Sequence, residues 1–367
     1  MRMRALGLVA LSAATALVLA ACGSDDSSSD SANTGSSSSA VKGKVGVILP
    51  DTQSSARWES FDKPLLTKAF DAAGVDADIQ NALGDKSKFV SIADGMIQEG
   101  VSVLAIVNLD SATGAQVQAK AKAAGVKTID YDRLTLGGTA DYYVSFDNVK
   151  VGELQGQGLV DCLTAAKKTN PSIIELNGSP TDNNATLFKQ GYDSVLDKKY
   201  AEGWKKAGDQ SVPDWDNAKA VTIFEQLLTA AGGKVDGVLA ANDGLGNSAI
   251  TVLKKNGLKV PVTGQDATAG GLQNILAGDQ CMTVYKPIKD EAEGLVKLAV
   301  ALLKGEKGET TGTVEDTEGK RQVPSLLLPP KAITKDSVKE VVADGFVTKA
   351  ELCTAKYAAL CTAAGIA

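Results

Sequence analysis

The chain has 367 residues, 44% of them apolar, with 44 acidic against 38 basic side chains and no histidine. Its net charge of −6 argues against nucleic acid or anionic lipid as a partner. The missing histidine removes the commonest general base and every Ser-His-Asp or Cys-His scheme, and with no C-x-x-C spacing it also argues against a zinc site, so no metal or cofactor is expected.

Arg2 and Arg4 precede the apolar run ALGLVALSAATALVLAA, which stops at Cys22. A basic start, a short apolar core and small residues at the exit describe a secretory signal over 1–21, not a membrane span. LAAC, residues 19–22, looks like a bacterial lipobox, in which Cys22 receives a lipid and becomes the mature N-terminus. A signal cleaved beside an incidental cysteine is the competing explanation. The Ser/Gly/Asp tract that follows, to about residue 42, cannot bury apolar surface and is expected to act as a flexible tether. Loss of Arg2 and Arg4 with the signal takes the charge from −6 to −8. The body beyond the tether is therefore expected outside the cytoplasm, held to the cell membrane only by its lipid, and is long enough for two domains.

Along that body, apolar β-branched runs alternate with helical patterns. KVGVILP, VDADIQ, VSVLAIVN, VKTIDYD and YYVSFDN come first; PSIIELNG, VDGVLAAND, VPVTGQD and CMTVYKP follow. Between them Phe61, Leu65, Ala69, Phe70 and Ala73 keep to one helical face. Continuous apolar strands separated by helices predict an α/β fold of parallel sheets covered on both faces, with all strand C-termini on one edge.

That edge is where open α/β sheets bind ligands. It carries Arg57 and Trp58, Asn108, Asp132 and Arg133, Asp182 with Asn183 and Asn184, Trp215, Asn242, Gln265 and Asp266, and Lys286. One such Asp or Asn is an ordinary helix cap or turn former. Three in succession at 182–184 exceed what a cap needs. A rim of amides, carboxylates and cations suits a small hydroxyl-rich molecule, and Trp58 and Trp215, in polar flanks, offer faces to a pyranose unless they belong to the core.

Two enzymatic alternatives arise. Gly244-x-Gly246-x-x-Ala249 after a strand, with Asp266 further on, is formally a dinucleotide fingerprint. An exported chain meets little nicotinamide cofactor, and these glycines are expected to open a turn and bring a helix N-terminus to the rim. Asp132 with Asp266 could form a glycosidase pair, but Arg57 and Arg133 should keep neighbouring acids ionised, whereas a general acid needs the opposite. Besides Cys22, the even set Cys162, Cys281, Cys353 and Cys361 suggests two disulfides. The close Cys353/Cys361 pair would leave Cys162 for Cys281.

YDRL, YYVSFDNVKVGELQG, GSPTDNNATLF, AANDG, TGQDA, MTVYKP and VPSLLLPPKAITKDSVKEVVADGF together resemble bacterial D-xylose-binding proteins, the substrate-binding components of ABC sugar importers with the type I periplasmic-binding fold. The resemblance runs from about Lys44 to Phe346. It implies two similar lobes joined by three crossings, near Asn148, Tyr285 and Arg321: a first lobe of 43–148 plus 285–320 and a second of 149–284 plus 321–348. The four cysteines and a tail over 349–367 depart from its pattern. The resemblance also implies a monosaccharide, xylose first, bound between the lobes by Arg57, Trp58, Asp132, Arg133, Asp182, Asn183, Asn184, Trp215, Asn242, Asp266 and Lys286. The expected partner is a membrane permease, the expected state a monomer, and no chemistry on the ligand is implied. A sugar sensor touching a signalling partner is the alternative on the same fold.

Overall fold

The computed structural model describes residues 42–55 and 57–366. Cys22 and the signal lie outside the described residues. The first half reads β1 (Lys44–Leu49), α1 (Lys63–Ala73), β2 (Asp76–Asn81), α2 (Lys86–Gln98), β3 (Val103–Ile106), α3 (Ser111–Ala123), β4 (Lys127–Tyr131) and β5 (Tyr142–Phe146). Then come α4 (Asn148–Ala165), β6 (Ser172–Asn177), α5 (Asn183–Ala201), β7 (Lys205–Ser211), α6 (Asn217–Ala230), β8 (Gly237–Ala240), α7 (Asp243–Lys255), α8 (Ala269–Ala277) and β9 (Thr283–Tyr285). The chain returns through α9 (Ile288–Lys304), β10 (Gly312–Asp316) and β11 (Arg321–Leu328), and ends with β12 (Lys331–Ile333), α10 (Val338–Ala343), α11 (Lys349–Leu352) and α12 (Ala358–Ala363).

Seven strands form the first sheet in the order β10-β11-β5-β4-β3-β1-β2, parallel except for the β10–β11 hairpin. Alternation along each strand sends residues to both faces. Val45, Val47 and Leu49 pack with Phe70, Leu295 and Leu298 under α1 and α9, while Ile48, Leu104 and Ile106 pack with Phe89 and Val117 under α2 and α3. Both faces are covered, which is why these strands read as unbroken apolar runs. The second lobe repeats the plan with the parallel sheet β7-β6-β8 and an antiparallel β9–β12 pair. This is the type I periplasmic-binding fold. In the first lobe β1 lies between β2 and β3, and in the second β6 lies between β7 and β8, so loops diverge at equivalent points and open a crevice.

Helices α4 and α5 touch backbone to backbone. A Cβ on Gly152 would sit 2.0 Å from the Phe188 carbonyl oxygen, and one on Gly191 2.1 Å from that of Val149. Only glycine permits this approach, and it brings the N-terminal ends of both helices to the crevice.

Two expectations need correction. Arg321–Leu328 does not enter the second lobe: Ser325 to Leu328 pair in parallel with Tyr143 to Phe146, and the β10 hairpin binds the strand's other edge. The third crossing therefore follows Leu328, at Pro329 and Pro330. The apolar run VPSLLL suits either sheet, and the TEGK turn, which folds it onto β10, assigns it to the first. Nor is 349–367 a separate tail. Leu352, Cys361 and Ile366 are buried against Leu272, Ile275 and Leu276 of α8, and Gln273 donates to the carbonyls of Glu351 and Leu352. Cys162 is bonded to Cys281 and Cys353 to Cys361, as paired from the sequence. Among the described residues no helix is long and apolar enough to cross a membrane.

Candidate functional site

The loop after β1 is shaped by Asp51, whose carboxylate accepts from the backbone N–H groups of Gln53 and Ser54. A π-helical turn over Trp58–Asp62 then leads into α1, with Pro64 in the first turn of that helix. The widened turn swings Asp62 back onto Arg57. Arg57 donates to Asp62 through Nε and Nη2 (2.8 Å each), to Asp132 through Nη1 (2.6 Å) and to Glu291 through Nη2 (2.5 Å). Its guanidinium lies 4.5 Å from the centre of the Trp58 ring, and Trp58 Nε1 donates to Ser54 Oγ. The Tyr131 hydroxyl donates to Asp62 from below.

Asp132 follows β4 with φ 60°, in the left-handed region. Its N–H bonds the Val144 carbonyl at 2.8 Å. In the second lobe Asp266 has φ 96°, and its N–H bonds the Val284 carbonyl at the same distance. Such backbone costs about 1–3 kcal/mol per residue and persists where the surroundings impose it. Each lobe thus turns one aspartate toward the crevice in the same way. Asn108 anchors the neighbouring Arg133: its side chain donates to the Arg133 carbonyl and its own carbonyl accepts from Arg133 Nη1.

From the second lobe, Asp182 caps α5 by accepting the Asn184 N–H at 2.9 Å. The same carboxylate accepts from Trp215 Nε1 at 3.1 Å and lies 3.0 Å from Arg133 Nε. That Arg133 approach is off the N–H axis, so the pair is ionic and Nε keeps its hydrogen free for another acceptor. Asn184 donates to Asp132 and accepts from Asn148. Trp215 lies flat against Gly178, where a Cβ would meet its ring at 2.0 Å. Asn242 caps α7. Lys286, on the second crossing, is 3.4 Å from Asp266 and points between Phe146 of the first lobe and Phe188 of the second, 5.7 and 5.8 Å from their centres.

These groups line a small cavity of about 30 Å³ between the lobes, formed by Ser54, Ser55, Arg57, Trp58, Asp132, Arg133, Asp182, Asn184, Phe188, Trp215, Asn242, Gln265, Asp266 and Lys286. Ten of the eleven expected positions line it. Asn183 does not: one step along the helix from Asn184, it turns to an outer groove with Asp110, Ser111 and Thr186. Both tryptophans serve two roles, lining the cavity and packing in their lobe's core, each at most 5% exposed. Phe188, Ser54 and Ser55 had no signal in the sequence. Gln265 sat on the expected rim but was not singled out; its buried Oε1 has no partner and is available to a donor. Glu291 and Asp62, which hold Arg57, also escaped notice.

The electrostatics depart from expectation. Burial would raise Asp132, but Arg57, Lys286 and Arg133 hold its carboxyl below the ordinary range. Asp62, Asp182 and Glu291 go the other way, because burial outweighs the arginine beside each. Arginine holding its neighbour ionised, the argument against a general acid, is therefore met at Asp132 and not at Asp62, Asp182 or Glu291. Gly244 and Gly246 have no left-handed backbone and do not line the cavity. Gly244 faces Asn217, and Gly246 lets α7 approach the Thr263 carbonyl, so they pack a helix instead of opening a turn.

Two α/β lobes joined by three crossings around a polar cavity with aromatic walls define a substrate-binding protein. The chain belongs to the periplasmic binding protein domain family, matched over residues 45–307. It is 39% identical over 310 residues to a D-xylose-binding periplasmic protein of Haemophilus influenzae, covering 83% of this chain and 91% of that one. It is 38% identical over 330 residues to a multiple sugar-binding periplasmic receptor of Rhizobium radiobacter, covering 85% and 92%. A carbohydrate transporter solute-binding protein from Chloroflexus aurantiacus, solved with D-glucose, superposes with a TM-score of 0.75 at 31% identity over 84% of this chain and 98% of that one.

Proposed function

We propose that this protein is the extracytoplasmic receptor of an ABC importer for a monosaccharide, with D-xylose the first candidate, held to the membrane through lipid on Cys22. The observation that carries this is a cavity walled by both lobes: Arg57, Trp58, Asp132 and Arg133 from the first, Asp182, Asn184, Trp215, Asn242 and Asp266 from the second, and Lys286 between them. Carboxylates accept sugar hydroxyls at charge-assisted strength, amides both donate and accept, and the indoles cover apolar C–H faces. A ligand that touches both lobes favours the closed arrangement over the open one, and a permease can read that difference. The sugar leaves unchanged, in keeping with relatives named for binding.

The test is thermal unfolding against a panel of pentoses and hexoses. A sugar at about 100 times its Kd adds roughly 2.7 kcal/mol and raises Tm. D-xylose is expected to give the largest shift. A panel that gives none overturns the proposal.

A further inference from the structure

Arg57 faces more acid than it can neutralise. Asp62, Asp132 and Glu291 all bond its guanidinium. The other two cations of the site are already engaged, Arg133 with Asp182 and Lys286 with Asp266. The cluster thus sets Arg57, Arg133 and Lys286 against Asp62, Asp132, Asp182, Asp266 and Glu291, two negative charges in excess if all ionise. Every one of these side chains is at least nine-tenths buried.

Glu291 is the member least able to stay charged. It comes from the first turn of α9, just past the second crossing, and is 0% exposed. Arg57 faces it from the loop after β1, Asp62 from the turn before α1, Asp132 and Tyr131 from β4 and its end, Tyr143 from β5, and Lys286 from the crossing itself. Its Oε1 is buried without a hydrogen-bond partner. An unpartnered oxygen is much cheaper to bury on a neutral acid than on a carboxylate. Burial of the whole cluster also strengthens the repulsion from Asp132 and Asp62.

We infer that Glu291 is a positioning residue that takes up a proton from solvent when the lobes close over the ligand, holding Arg57 as a neutral acid so that Arg57 keeps its bond to Asp132 at the cavity wall. This rests on the binding function proposed above. Burial pushes the Glu291 carboxyl up to about 8, Asp132 and Asp62 adding to the rise against Arg57 and Lys286. With about 8 the value while the lobes are together and a lower one when they part, the protonated form is the one that binds. Affinity is then full at low pH, falls as pH climbs toward about 8, and levels off above it.

Calorimetric titration of the full chain with D-xylose, in buffers of different ionisation heat at pH 7.5, counts the protons. Net uptake is expected in the wild type, with Kd rising three- to tenfold between pH 6.5 and 9. Glu291→Gln should lose both the uptake and the pH dependence, and Glu291→Ala should bind at least tenfold more weakly at every pH. A wild type that binds sugar with no uptake and a flat Kd overturns this inference alone, as does uptake that survives in Glu291→Gln. Should the variants not fold, the wild-type proton count decides. A wild type that binds no sugar of the panel overturns the binding function, and this inference with it.

Discussion

Asn184 reaches across the crevice and gives its amide to two oxygens of one residue, the Asp132 carbonyl at 2.9 Å and its carboxylate at 3.1 Å. Its own oxygen is held by Asn148 at 2.9 Å, so the amide cannot flip without breaking bonds on both sides. Asn184→Asp would set a second carboxylate against Asp132 where a donor now stands. Loss of affinity for the cognate sugar by tenfold or more is expected by calorimetry, since leaving a buried charged partner unpaired costs about 1–3 kcal/mol. An unchanged Kd would mean that the two lobes do not meet through this residue when ligand is bound.

Trp215 is wedged between Gly178, Phe188 and the cavity. Trp215→Ala should both lower Tm, because removing a buried indole costs about 3–5 kcal/mol, and weaken sugar binding more than tenfold. A drop in Tm with calorimetric affinity intact would confine the residue to packing.

Gly191→Ala is expected to destabilise the protein, against helix propensity, which favours alanine by about 1 kcal/mol. The added methyl would fall 2.1 Å from the Val149 carbonyl and push α5 away from α4. Overpacking of this kind costs about 1–3 kcal/mol, readable in urea unfolding. Because Asn184 rides on the same helix, affinity should fall with stability.

Cys162 in α4 and Cys281, two residues ahead of β9, are bonded across a sequence separation of 119. Replacing both by serine should cost about 2–4 kcal/mol in unfolding free energy, chiefly by freeing the unfolded chain. Peptide mapping without reductant should recover this pair and Cys353–Cys361. Equal unfolding midpoints for the parent and the double variant would show that the bond does not stabilise the fold.

Strand identity and the site's outline were legible because both follow from local pattern. Buried parallel strands read as apolar runs, and the groups that follow them must lie at one edge. Hence Arg57, Asp132, Asp182 and Asp266 could be placed together from the order of residues alone. Asn183 shows where adjacency misleads: neighbours on a helix point about 100° apart, so Asn184 turns inward and Asn183 out. Glu291 and Asp62 were hidden because each lies on a helical segment with nothing local to distinguish it, and their meaning comes only from where Arg57 ends up. The assignment of β11 failed for a related reason. A short apolar strand carries no label for its sheet, and its hairpin with β10 decided the matter.

That hairpin has a consequence for how the molecule is made. The strand beside β5 is supplied by residues 325–328, after all of the second lobe except β12 and the helices that follow it has been synthesised. A fragment ending before Ile288 would leave β5 as a naked edge inviting other chains, without the helix Ile288–Lys304 to roof its face. Ribosomal emergence of the N-terminal portion alone therefore does not complete a folding unit.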